Sequence, residues 1–237
     1  MFKRTIFALS LLVLAAPAIA DEEEEGPLSG NVKLGYLATT GNTETSSLNA
    51  GFDALYKFTR WEHILELAAL NASENNVNTA EAYEAAWTSR WNMTDRDFLY
   101  GRLSWRKDMF GAFRTQYSET LGYGRRVLDT GVHTLNLEVG AGARQSEDQL
   151  GFDDDETILT GGLDYRWAFS ETAHFGQTFA VEAGDMNTFS ESVTSVSATL
   201  VGRLALTASY TIRNNSDVPI GTVKKDTRTA IALEYGF

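Results

Sequence analysis

The 237 residues include no cysteine, three prolines and three histidines, and the chain has no long apolar run beyond the one near its start. Zero cysteine excludes disulfides, a thiol nucleophile, a thiolate metal site and an N-terminal cysteine that could carry lipid. After the first twenty residues no segment approaches the ~20 apolar residues of a transmembrane helix, so if the mature chain spans a membrane it does so with strands. Basic residues are also in deficit. Lys and Arg number 20 against 32 Asp and Glu, a formal net charge of −12, and such acidity repels nucleic acid. No cofactor is expected.

What is present begins with an export signal. Lys3 and Arg4 form a basic start, Ile6 to Leu14 an apolar core, and Ala18, Ile19 and Ala20 a small-residue site, which predicts a leader over 1–20 cut between Ala20 and Asp21. The acidic run Asp21 to Glu25 opens a tail over 21–29, read as solvated and periplasmic. The domain then expected covers residues 30–237.

That domain reads as period-two segments separated by turn residues. Leu48, Ala50, Phe52, Ala54, Tyr56 and Phe58 fall on one face, and Asn49, Gly51, Asp53 and Lys57 on the other. The spacing predicts strands at 30–38, 46–58, 61–72, 80–93, 97–107, 115–127, 132–145, 157–169, 173–184, 192–202, 204–214 and 226–237, long enough to cross a membrane when tilted. A mean hydropathy of −0.23 fits a barrel as well as a soluble protein, because lipid-facing and lumen-facing residues cancel in the average. Every second connection is predicted to be short, and the others longer: 39–45, 73–79, 108–114, 146–156, 185–191 and 215–225. An even strand count puts both strand termini on the short-turn, periplasmic side, and the fold class expected is an all-β, closed antiparallel transmembrane barrel of about twelve strands.

The last strand aligns Thr229, Ile231, Leu233, Tyr235 and the terminal Phe237 on one face. Ile231, Leu233, Tyr235 and Phe237 are the expected signal to the barrel assembly machinery, offered as an apolar strand edge. Outer-membrane lipid is the other expected partner.

Thr39, Thr40, Gly41, Asn42 and Thr43, followed by Ser46, Ser47 and Leu48, carry a further signal. With Arg106, Asp108, Phe110, Pro219, Gly221, Asp226 and the closing Leu233 to Phe237, the chain resembles a family of salt-induced outer-membrane proteins of unknown function. The resemblance implies an outer-membrane location, a barrel and a link to salt or envelope stress. It brings no substrate and no catalytic residues. From the residues alone, Gly41-Asn42 is a turn pair that tolerates positive φ.

On the polar strand face stand Glu62, Glu66, Glu84, Arg90, Arg102, Arg106, Glu138, Arg144, Glu182, Arg213 and Arg228. In hydrocarbon each would cost kilocalories, so they are expected to line the lumen. Two roles follow: a plug of paired charges in a structural barrel, or a narrow water-filled path for small ions or solutes. The competing class is a barrel enzyme acting on lipid, of phospholipase or lipid A deacylase type, which needs Ser, His and an orienting acid or amide. The histidines, His63, His133 and His174, fall on three non-adjacent strands near the periplasmic end, so no enzyme, and no catalytic or metal site, is expected. The acidic stretch 153–156 reads as a solvated loop tip without the spacing of a calcium motif.

Overall fold

Strands with one apolar and one polar face bury the polar face only by curling the sheet around it, and closing the sheet removes its edges. In a computed structural model, which describes residues 26–39 and 45–237, the chain does this with twelve strands. They are β1 (Leu28–Thr39), β2 (Thr45–Phe58), β3 (Trp61–Glu74), β4 (Val77–Asn92), β5 (Asp97–Asp108), β6 (Phe113–Asp129), β7 (His133–Asp148), β8 (Asp153–Trp167), β9 (Ala173–Gly184), β10 (Thr188–Val201), β11 (Leu204–Asn215) and β12 (Lys225–Gly236). Each pairs antiparallel with the next, and β12 returns to β1 to close the barrel. The expected leader with Ala18, Ala20 and Asp21, the acidic run to Glu25 and the segment Thr40–Thr43 lie outside the described residues.

The closing seam pairs Asn31, Val32, Lys33 and Leu34 with Gly236, Tyr235, Glu234 and Leu233. A reciprocal backbone pair extends it: Gly30 N–H donates to the Phe237 carbonyl at 3.1 Å, and Phe237 N–H to the Gly30 carbonyl at 2.9 Å. The start of β1 and the end of β12 therefore share one rim, called here the terminal rim; the opposite one is the far rim.

At the far rim the strands outrun their apolar alternation. The pattern predicts loops over 73–79, 146–156 and 185–191, whereas β4 starts at Val77, β7 runs to Asp148, β8 starts at Asp153 and β10 at Thr188. Asn75 and Asn76 alone turn β3 into β4, both at positive φ (49° and 64°), as a tight hairpin requires. Asp153 to Glu156 thus open a strand and are not a loop tip. Apolar alternation marks only the part of a strand that needs an apolar face, while the backbone ladder continues wherever it satisfies N–H and C=O groups. The contrast in length between the two sets of connections is correspondingly smaller than the pattern predicts.

The outward face is apolar and edged with aromatics. Phe58, Trp61, Trp91, Tyr123 and Trp167 lie exposed near the terminal rim, and Tyr36, Tyr83, Tyr117 and Tyr210 toward the far rim, the two girdles of a membrane barrel. An acid breaks this face between the girdles. Glu119 pairs in register with Leu103 of β5 and Ala143 of β7, so its exposed side chain points outward between Tyr117 and Leu121.

Candidate functional site

Inward-facing positions are identified by contacts that skip strands, because only a side chain inside the barrel can reach past its neighbour. Arg90 of β4 meets Glu138 of β7 at 2.7 Å, Arg102 of β5 meets Glu66 of β3 at 2.8 Å, and Arg126 of β6 meets Glu62 of β3 at 2.8 Å. Arg144 of β7 reaches Glu182 of β9 at 3.2 Å. Tyr100 of β5 and Thr160 of β8 approach at 3.4 Å between hydroxyls.

Toward the terminal rim the lumen is filled along one wall. Phe98 is fully buried, with the guanidinium groups of Arg90 and Arg126 at 4.9 and 5.2 Å from its ring centre, a distance at which cations are held by the ring face. The ring fits because Gly124 lies beneath it: a Cβ there would come within 2.2 Å of Phe98.

Nearer the far rim a layer of side chains crosses the lumen. Arg213 of β11 and Glu84 of β4 form a two-pronged ion pair at 2.6 and 2.9 Å, although five strand-to-strand steps separate them by the shorter way round. Arg213 also bonds Glu191 through Nε. Arg106 lies 3.8 Å from Glu84 and 4.5 Å over the ring of Phe189 of β10. Beyond this layer is a cavity of about 260 Å³ whose lining includes Asp148, Asp154, Glu156 and Asp217 and no Lys or Arg. On its other side are cavities of about 210 and 440 Å³, both reaching Arg106 and Glu191.

A further cluster stiffens the far rim. Arg144, 1 % exposed, bonds Glu156 at 2.5 Å and the Asn187 carbonyl at 2.5 Å. Glu156 accepts in turn from the backbone N–H groups of Met186 and Asn187 at 3.0 and 3.3 Å. A buried guanidinium is tolerable only when its donors are used, and these two partners together with Glu182 use them across β7, β8, β9 and the turn before β10.

The structure thus brings ten of the eleven sequence-predicted lumen charges into ion pairs. Arg228, half-buried on β12, has no ion pair among the described residues. Sequence reasoning missed Glu191, which it placed in a loop, and Arg126, a residue beside a break in register between β6 and β7. It also missed Phe98 and Phe189, because an apolar residue on the polar face carries no charge signal. Ile231, Leu233 and Tyr235 lie exposed on the outward face of β12, with Phe237 next to β1.

The histidines take separate places. His133 bonds the Tyr165 hydroxyl at 2.9 Å, and half-buried His174 points inward from β9. His63 Nδ1 is 2.8 Å from Ser89 Oγ, its ring stacked on Trp61 at 5.9 Å. Among the described residues no carboxylate or amide bonds that ring.

Against known proteins, the model of a family described as a protein of unknown function, DUF481, matches residues 32–237. A relative described as the uncharacterized protein YdiY of Escherichia coli (strain K12) is 31% identical over 212 residues, covering 88% of this chain and 83% of its own length. Among solved structures, an outer membrane channel from Pseudomonas putida F1 is similar at a TM-score of 0.53 and 11% identity, covering 94% of this chain and 99% of that one. The translocator domain of the autotransporter NalP from Neisseria meningitidis gives 0.51 and 12%, covering 92% and 90%. At such identities the two structures share the barrel fold.

Proposed function

This chain belongs to the DUF481 family of proteins of unknown function, and from that premise we propose that it is an outer-membrane barrel serving as a narrow path for small ions. The observation that carries the reading is the polar lumen, in which cavities on both sides of the Arg213–Glu84 layer are lined by charged and hydroxyl side chains. An apolar exterior between aromatic girdles supports the location, as does the likeness to a channel of that membrane. In this reading the leader over 1–20 directs export, the terminal rim faces the periplasm, and the role is adaptation of the envelope to salt. The far-rim cavity, with its carboxylates and no lining Lys or Arg, concentrates cations at the entrance.

The test is conductance of the purified barrel in planar bilayers under a KCl gradient. The reading expects small unitary currents with a cation-selective reversal potential, and a weaker selectivity in Asp154→Asn/Asp217→Asn. A membrane that stays silent with folded protein inserted would end the channel reading.

The second reading, an enzyme acting on lipid, rests on the Ser89–His63 contact at the outward face. Its test is release of fatty acid from phospholipid or lipid A by the purified barrel, abolished in Ser89→Ala.

A further inference from the structure

The ion pairs that skip strands are not equivalent in what their rupture would leave behind. Separating Arg90 from Glu138 strands Glu138, whose in-register neighbours are Gly124 and Gly162. Separating Arg102 from Glu66 strands Arg102, whose neighbours are Thr88 and Thr120. The Arg213–Glu84 pair differs. Glu84 lies directly opposite Arg106 on β5, and Arg213 directly opposite Glu191 on β10. Among the described strand-skipping pairs this is the one in which each member keeps an oppositely charged partner on its own wall.

That arrangement has a physical consequence. Breaking a lumen ion pair is costly chiefly because each charge loses its partner. Here the guanidinium of Arg213 can fold back against Glu191, and Glu84 against Arg106, so two wall-held pairs replace one pair that spans the lumen. The stacking of Arg106 on Phe189, whose ring is buried, must also be given up, and it holds the closed arrangement beside the bridge. The pair spans the lumen from β4 to β11, and the cavities of about 210 and 440 Å³ both reach its wall partners Arg106 and Glu191, so its parting widens the lumen at this layer.

We propose that Arg213 and Glu84 form a gate in the lumen, closed when they bridge the barrel and open when each is parked on its cross-strand partner. The gate rests on the channel reading given above. It requires no movement of the barrel wall, only side-chain rotation.

The experiment is single-channel recording of the full barrel, with folding of every variant checked first by its heat-dependent gel mobility. Glu84→Gln and Arg213→Gln each remove the bridge, and the open-to-closed ratio is expected to rise roughly tenfold, equivalent to about 1.4 kcal/mol. Glu66→Gln, which breaks a strand-skipping pair outside the layer, should leave that ratio unchanged. Because the chain has no native cysteine, Glu84→Cys/Arg213→Cys can be joined by a reducible bifunctional thiol reagent. The linked barrel should stay shut and reopen on reduction. Currents that persist in wild type while both bridge variants and the linked pair gate like it would overturn the gate and leave the channel intact. Silence of wild type and every variant alike would overturn the channel reading and the gate with it.

Discussion

A Cβ on Gly124 would meet Phe98, and one on Gly122 would fall 2.6 Å from the Tyr100 ring, so two missing side chains on β6 decide where two rings of β5 lie. Gly124→Val should push Phe98 off its wall and loosen Arg90 and Arg126 from its faces. The expected loss is about 1–3 kcal/mol, the cost of overpacking, read from urea unfolding in lipid vesicles. An unchanged midpoint would mean that Phe98 has another place to go. Glu119 makes the opposite case, since it has no hydrogen bond or ion pair among the described residues and faces outward amid Leu103, Ala143 and Leu121. A carboxylate on the lipid face costs less than the roughly 2–4 kcal/mol of a basic group. Glu119→Leu should therefore raise stability in vesicles by about 1–2 kcal/mol. Lower stability in the same measurement would show that the carboxylate is satisfied in the membrane.

At the scale of the strand, β12 has two duties that the sequence pattern shows only in part. Its outward residues Ile231, Leu233, Tyr235 and Phe237 suit recognition as an added edge, but Phe237 also extends the seam through its backbone pair with Gly30. Its ring packs on Gly30 and is 6.1 Å from that of Phe52. Deleting Phe237 should lower the stability of barrel refolded in detergent by about 1–3 kcal/mol, and should reduce the amount reaching the membrane in cells by more than that loss explains. Comparison with Phe237→Ala, which keeps the backbone pair, separates the two duties. If both variants assemble at wild-type levels, the last strand is not the signal. The far-rim hairpin at Asn75 and Asn76 shows the limit of reading elements from hydropathy. A connection over 73–79 was legible, yet the strand starting at Val77 was not, because residues 77–80 show no apolar alternation beyond the girdle.

A closed barrel has no edge at which unfolding can start, so the folded molecule should resist dodecyl sulfate at room temperature and migrate differently on gels before and after boiling. One mobility at both temperatures would speak against closure. The number of strands, their order and the facing of each were determined by the sequence itself, because period-two alternation and turn residues are local properties written into every segment. So was the lumen as a charged interior, since a run of acids and bases on one strand face has nowhere else to go in a membrane. What only the tertiary structure decided is which charges meet. Glu84 and Arg213 are 129 positions apart in the chain and nearly opposite in the barrel, and their pairing depends on how far each strand is displaced along its neighbour when the sheet closes. That displacement accumulates over all twelve strands, and no local pattern carries it.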